Sequence, residues 1–242
     1  MLVLLMTLLG TNVFCLENTE TLQTVDRLLN QGGNQQALQL LQELPEGTVG
    51  KLCRMARLQY EIGQITEPES DRPEFFRQAE KYARAAIAAE PNNSGGYKWL
   101  AIALGAQAKY STIKVQIEQS REIKKNIEKA IELNPDDDAS YHVLSRWNYK
   151  IATLGFLSRA IVKIVYGGLP KASLEKAESL LLHAIKLHDR IAHRYNLAKV
   201  YDSMGRRKDA VEQLRRALTL PVTFPEEVVI REKVKRKLQK WQ

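Results

Sequence analysis

The sequence predicts an all-α protein built as a superhelical array of helical hairpins, with insertions in the turns inside the hairpins. One spacing recurs along the chain. A small or apolar residue is followed by a second one four positions later, by a small residue three positions after that, and by a proline five positions further on. Aromatic residues make up 7% of the chain and Gly-Pro clusters are few, which argues against an all-β or disordered protein. A hydrophobic content of 44% is ordinary for a soluble protein with a sizeable core.

Four segments carry the recurring spacing in one phase. They are Ala79, Ala83, Ala86 and Pro91; Ile123, Ile127, Ala130 and Pro135; Ala177, Leu181, Ala184 and Asp189; and Ala210, Leu214, Ala217 and Pro221. Small residues let two antiparallel helices approach closely, and the proline ends the second helix. Asp189 replaces the proline in the third segment, and Pro221 comes one position early in the fourth. The pattern is typical of tetratricopeptide repeats, so residues 16–242 are predicted to form one tetratricopeptide-like domain.

The earlier hairpins are longer than the last one. Twelve positions separate Ala198 from Ala210, against 23 from Ala56 to Ala79, 22 from Ala101 to Ile123 and 32 from Ser145 to Ala177. These spacings predict insertions of roughly 10 to 20 residues in the turns of the first three well-marked hairpins, since a standard repeat needs none.

Both ends of the array are predicted to be capped. The region around residues 25–44 looks like a degenerate first hairpin or an N-terminal cap, with its turn at Gln31–Asn34. Residues 226–241 are predicted to form a solvated capping helix. Its apolar residues at helical spacing are Val229, Ile230, Val234, Leu238 and Trp241.

The first fifteen residues are predicted to be a signal peptide. The uncharged run from Leu2 to about Leu9 is too short to span a bilayer and fits the apolar region of an export signal, although no Lys or Arg precedes it. An uncleaved membrane anchor and a mis-assigned start remain the alternatives. We therefore expect export, to the periplasm or outside the cell in a bacterium.

Three short motifs carry a resemblance to a known family. Lys98-Trp99, the Ala-Ile-x-Leu-x-Pro run at Ala130–Pro135, and Arg146-Trp147-x-Tyr149 followed by a long apolar insertion resemble the regulator of microtubule dynamics family. The resemblance implies an all-helical, non-catalytic array whose eukaryotic relatives are associated with microtubules, the spindle or the mitochondrial surface. In a eukaryote it would imply tubulin as a partner and a mitochondrial or cytoplasmic location; an exported bacterial relative is the alternative.

A ligand groove is predicted on the first helices of the hairpins, which line the inside of such arrays. Its candidate residues are Lys98, Trp99, Arg146, Trp147, Tyr149, Phe156 and Ile161. Lys and Arg in this position can bind a carboxylate. Alternatively, the aromatic residues pack between neighbouring helices.

The third insertion, residues 156–170, has an apolar stripe where a polar turn is expected. It is either an extra helix packed on the array or the wall of an apolar cavity, facing a lipid, a membrane or a partner helix. A lipid-binding or membrane-contact module is therefore the alternative to a protein-binding scaffold.

The excess positive charge lies in the last quarter of the chain. Residues 190–242 contain fourteen Lys and Arg against six Asp and Glu, which matches the net charge of +8 for the whole chain. The candidate basic patch comprises Arg206, Arg207, Lys208, Lys233, Lys235, Arg236 and Lys237. It suits an acidic protein or an anionic lipid surface, or it is only a solvated helix face. Nucleic acid is disfavoured because no stacking aromatics lie between the charges.

No motif for catalysis, a metal or a cofactor is present in the sequence. His183, His188 and His193 are five residues apart, which turns successive side chains about 140° on a helix, and Asp136-Asp137-Asp138 lacks the rest of a calcium loop. Cys53 has no nearby base to activate it. We therefore expect a non-catalytic binding or scaffold protein without a cofactor, engaging a protein or peptide through its concave face.

Overall fold

The computed structural model describes residues 19–155, 160, 162–165 and 167–241, and within them the chain is helical and has no strand. The predicted signal peptide lies outside the described residues. The main helices are α1 (19–30), α2 (Asn34–Glu43), α3 (Val49–Ile65), α4 (Arg72–Ala89), α5 (Ser94–Gln107), α6 (Ile113–Leu133), α7 (Asp138–Ala152), α8 (Leu174–Leu187), α9 (Ile191–Ser203), α10 (Arg207–Thr219) and α11 (Pro225–Trp241). None of the helices in these residues is long and apolar enough to cross a bilayer.

The repeat positions form the contacts between helices. Ala79, Ala83, Ala86, Ile127, Ala130, Ala177, Leu181, Ala184, Ala210, Leu214 and Ala217 are all between 0% and 1% exposed. Ile123 is 8% exposed and belongs to the same cores. The predicted all-α, tetratricopeptide-like array of hairpins is confirmed, because the small residues allow the close helix packing that the repeat requires.

The insertions lengthen helices as well as turns. Helices α9 and α10 have 13 residues each, whereas α3 has 17, α4 has 18 and α6 has 21. Short 3₁₀ turns at Glu69–Asp71 and Ala108–Tyr110 take up further residues. Sequence spacing counts the extra residues but does not show which of them become helical. In the third insertion, residues 162–165 are helical, and Gly167 and Gly168 have positive φ angles of 72° and 92°.

Side-chain caps fix where the first helices of two hairpins begin. The Asn93 side chain accepts a hydrogen bond from the Gly95 N–H at 2.9 Å at the start of α5. The Asp137 carboxylate accepts one from the Ser140 N–H at 3.2 Å at the start of α7. These polar turn residues satisfy backbone donors that an uncapped helix leaves unpaired.

The two ends of the array pack as distinct caps. Val25, Leu29, Ala37 and Leu41 are fully buried, so α1 and α2 form a true first hairpin with its own core. At the other end, Ile230, Val234, Leu238 and Trp241 of α11 pack against the last core. The expectation for Val229 is wrong: it is 55% exposed, because neighbouring residues on a helix point about 100° apart and only one face of α11 meets the core.

Candidate binding surface

The array curves toward the first helices of its hairpins. Helix α3 contacts α5, α5 contacts α7, α7 contacts α9, and α9 contacts α11, whereas the second helices α4, α6, α8 and α10 have at most marginal contacts with one another in the part of the chain described. The first helices therefore lie on the inside of the curve. We call this side the inner face and define it by residues of α3, α7, α9 and α11: Tyr60, Arg146, Tyr149, Lys199, Glu226 and Lys233.

The curvature brings distant parts of the chain together. A methyl group at Gly32, in the turn between α1 and α2, would lie 3.4 Å from Cγ of Pro225 at the start of α11. Burial raises the pKa of the Tyr60 hydroxyl, the charge of Arg146 opposes the rise, and the charge of Glu226 adds to it. Side chains of α3, α7 and α11 therefore share one space on the inner face.

A buried carboxylate joins α7 to α9 near their first turns. Asp138 is 4% exposed, and its carboxylate lies 2.8 Å from Nε2 of His193, 3.1 Å from Nδ1 of His188 and 2.9 Å from Nε of Arg190. Burial opposes its ionisation, but the hydrogen bond from His193 and the charges of Arg190, His193 and His188 outweigh burial and lower the pKa of Asp138. We call these four residues the Asp138 cluster.

The cluster continues through two further side chains on the inside of the array. Nδ1 of His193 lies 3.2 Å from Nδ1 of His142, and Nδ2 of Asn196 lies 2.9 Å from Nε2 of His142. One neutral arrangement satisfies every contact: Asn196 donates to His142, His142 to His193, and His193 to Asp138. Burial, together with the neighbouring His193, Arg146, Arg190 and Lys199, lowers the pKa of His142 well below its usual value, so His142 is neutral in this arrangement.

A second buried carboxylate anchors α11. Glu227 is 1% exposed and accepts hydrogen bonds from the Ala192 N–H at 3.2 Å and the Thr223 N–H at 2.9 Å. The Ala192 N–H belongs to the first turn of α9, where a negative charge is favourable. The guanidinium of Arg190 also lies 4.5 Å from the ring centre of Phe224. The start of α11 is therefore held firmly against α9.

Three cations on the inner face, Arg146 on α7, Lys199 on α9 and Lys233 on α11, form no ion pair and donate no hydrogen bond to any residue that the structure describes. We call these three residues the cation group. The Lys199 ammonium instead lies 4.7 Å from the ring centre of Tyr149, whose hydroxyl accepts a hydrogen bond from Ser203 at 3.2 Å. This cation–π contact holds the Lys199 ammonium next to Tyr149 of α7 on the inner face.

The electrostatics of Lys199 show that these charges act on one another. Burial lowers the pKa of Lys199, and the positive charges of Arg146, Lys237 and Lys233 lower it further. Like charges that lie close together raise the free energy of the empty site and favour an anion in it.

The residues predicted for a groove take three different positions. Lys98 is paired with Asp137 at 3.0 Å, and the Trp99 ring lies 6.1 Å from that of Tyr60. Trp147 is 6% exposed, and its Nε1–H donates to the Ser120 carbonyl at 2.9 Å, which places it in the core between α6 and α7. Of the five candidates that the structure describes, Arg146 belongs to the cation group and Tyr149 lies beside it. Their ligand role stays a prediction.

Phe156 and Ile161 lie outside the described residues. Nearby, Val162 is 8% exposed, whereas Ile164 is 83% and Val165 60% exposed. A depression of ≈ 360 Å³ at this insertion is lined in part by Ile151, Val162 and Leu169. The described part of the insertion therefore presents both a packed residue and two exposed apolar ones.

The predicted basic patch is divided between surfaces. Arg206 pairs with Glu178 at 2.8 Å and Asp209 at 2.7 Å, and Arg207 pairs with Asp202 at 2.8 Å. In α11, Lys235 pairs with Glu232, Lys237 with Asp202, and Arg236 donates to the Glu232 carbonyl. Lys208, Lys233 and Arg236 form no ion pair with a described residue, and Lys208 lies on a different helix from the other two. Whether any of the seven binds a partner stays a prediction.

Sequence reasoning missed Lys199, Tyr60 and the Asp138 cluster. Lys199 is one of many lysines in a basic segment, and nothing local marks it as lying beside a tyrosine fifty positions earlier. The available signal is its position on the first helix of a repeat with the same phase as Arg146.

The curved array of hairpins and its polar inner face define a tetratricopeptide-like helical repeat protein. The fold is similar to that of a thermophilic TPR protein from Thermus thermophilus, with a TM-score of 0.64 over 91% of this chain and 98% of that chain. The identity of 22% makes this a likeness of fold.

The chain belongs to the regulator of microtubule dynamics protein 1–3 family, whose model matches residues 21–242. It is 33% identical over 160 residues to regulator of microtubule dynamics protein 1 of Mus musculus, covering 65% of this chain and 52% of the relative. For the same protein of Pongo abelii, the identity is 30% over 86% of this chain and 68% of the relative. The chain thus spans about half the length of the Mus musculus relative. The family resemblance inferred from the sequence motifs is confirmed.

Proposed function

We propose that this chain is a non-catalytic scaffold that binds a partner protein or peptide through the concave side of the array, which is the inner face. The observation that carries the proposal is the cation group on this face. Charged side chains that have no partner within a chain give little stability, and clustered like charges cost stability, so a binding role accounts best for their position.

The surroundings of the cation group suit a protein ligand. Inner helices α7, α9 and α11 are fixed by the Asp138 cluster and by Glu227, so the face changes little in shape when a ligand enters. A rigid site loses less conformational entropy on binding than a flexible one. The names of the relatives concern microtubule dynamics, and a microtubule protein is accordingly one partner to test.

Photo-cross-linking tests this proposal. A photoreactive amino acid replaces Tyr149 on the inner face or, as a control, Glu212 on the outer helix α10, and the full chain is irradiated in an extract of its source cells. We expect discrete protein adducts from position 149 and none shared with position 212. Identical adduct patterns from the two positions, or adducts from position 212 alone, would contradict binding through the concave side.

A lipid or membrane surface is the second candidate partner, favoured by the exposure of Ile164 and Val165. Contiguous exposed apolar side chains mark interaction surfaces when they cluster with basic residues, and Lys163 lies beside them. Flotation with anionic vesicles tests it. Ile164→Asp should abolish flotation, whereas Val228→Asp, at a similarly exposed valine on α11, should leave it unchanged. Equal flotation of the two variants would remove this candidate.

A further inference from the structure

Two acids of the inner helices are already occupied. Asp138 is bound by His193 and Arg190, and Asp202 by Arg207 and Lys237. Glu226 on the inner face forms no ion pair with a described residue, but burial raises its pKa, and one carboxylate does not balance three cations. The described chain therefore leaves a positive excess at the cation group.

The group spreads over three helices instead of forming one point of charge. Arg146 lies on α7, Lys199 on α9 and Lys233 on α11, and α9 packs against both of its neighbours. On each of these three helices, a second polar side chain lies about one turn from the cation. Tyr149 follows Arg146, Tyr195 precedes Lys199, and Lys237 follows Lys233. One turn separates such side chains by about 6 Å.

This distribution suits an extended peptide. Alternate residues of an extended chain point to the same side. A peptide lying across the first helices could therefore present carboxylates from one side of its backbone to cations on successive helices. The Tyr195 hydroxyl, which makes no hydrogen bond to a described residue, adds a donor for the peptide backbone or a carboxylate.

We propose that the cation group of Arg146, Lys199 and Lys233 is a binding site for the carboxylates of an acidic, extended peptide segment of a partner protein. This deepens the proposed function and rests on it. Charge-assisted hydrogen bonds to carboxylates supply the affinity. Because the cations are distributed over three helices, a ligand with several spaced negative charges binds better than a ligand with one.

A phospholipid is the less suitable occupant of this site. Its phosphate concentrates charge at one point, whereas the cations are distributed over α7, α9 and α11. The described residues around the group offer Tyr and Asn side chains instead of the dry apolar walls that an acyl chain needs.

Fluorescence anisotropy of a labelled eight-residue peptide with alternating Glu and Ser tests the proposal on the full chain. Arg146→Gln and Lys233→Gln each remove one charge from the group. Lys208→Gln removes one charge from a solvated lysine on α10 and is the matched control. We expect about tenfold weaker binding for each of the first two variants and an unchanged Kd for the control. Far-ultraviolet circular dichroism and melting curves confirm that all three remain folded.

Three results would overturn the site. One is equal weakening by Lys208→Gln and Arg146→Gln, which would mean that net charge alone attracts the peptide. Another is tighter binding to a neutral or basic peptide of equal length; if Tyr149 cross-links that peptide, the scaffold function stands and the acidic preference fails. The third is displacement of the acidic peptide by vesicles of phosphatidylserine but not by unlabelled peptide, which would assign the cations to a lipid surface.

Discussion

The ring of Pro225 packs against the backbone of Gly32, although 193 positions separate them in the sequence; a Cβ on Gly32 would lie 3.4 Å from Cγ of Pro225. The turn between α1 and α2 thus meets the start of α11. The next residue, Glu226, acts electrostatically on the Tyr60 hydroxyl of α3.

Substitution of Gly32 by Val should therefore destabilise the protein more than the same change at Gly47. Both glycines have positive φ angles, 79° and 76°, so Val is strained at each. Only Gly32 has a neighbour within 4 Å, since nothing lies that close to Gly47. We expect roughly 1–3 kcal/mol of additional loss for Gly32→Val from steric overlap. Urea unfolding measures both; equal losses would show that the two ends of the array do not press together.

Removal of the charge of Asp138 should cost about 3 kcal/mol of unfolding free energy, because His193 and Arg190 would face a neutral amide in a buried site. Asp138→Asn keeps the shape of the side chain and changes only its charge and hydrogen bonding. Asp136→Asn, two positions earlier and exposed, is the control and should change stability by less than about 0.5 kcal/mol. Similar stabilities for the two variants would mean that the Asp138 cluster does not hold α7 against α9.

His142 makes stability depend on pH. Its pKa is lowered in the folded protein, so as pH falls below about 6.5 the unfolded chain takes up the proton first and stability decreases. The slope should approach about 1.4 kcal/mol per pH unit. His142→Gln should flatten it between pH 6.5 and 5. The contribution of Asp138, whose pKa is also lowered, is lost only below about pH 3.9 and does not overlap. An unchanged slope in the variant would place the proton uptake elsewhere.

Cys53 should be a slow nucleophile. Burial raises the pKa of its thiol to about 11, the charges of Arg54 and Lys98 oppose the rise, and that of Glu90 adds to it. At pH 8 the thiolate is then rare, and we expect alkylation by iodoacetamide roughly a hundredfold slower than for an exposed thiol. The measurement uses the full chain with Cys15→Ser, and the same chain in urea gives the reference rate. Equal rates in the two conditions would show an accessible, activated thiol.

The repeat positions could be predicted from the sequence because they encode the fold directly. Ala86, Ala130 and Ala217 occupy the same position of the recurring motif, and helix packing leaves no room there for larger side chains. The hairpins, their order and the capping helix follow from this spacing. The length of α6 does not, because an insertion can extend a helix or a turn with the same number of residues.

The binding surface was only partly predictable. Arg146 and Trp147 are adjacent in the sequence, yet one side chain is exposed on the inner face and the other is buried in the core. Neighbouring residues on a helix differ by about 100° in direction, and a motif that contains both cannot say which points inward. Lys199 and Tyr149 come together only through packing of α7 near α9, which no local pattern records.

Hydrogen exchange of the full chain, alone and with the partner captured by cross-linking, tests the central claim most directly. If the concave side binds that partner, amides of α7, α9 and α11 exchange more slowly in the complex while those of the outer helices α8 and α10 are unchanged. Protection confined to α8 and α10, or to residues 162–173, would contradict the claim and move the binding surface to the outside of the array or to the third insertion.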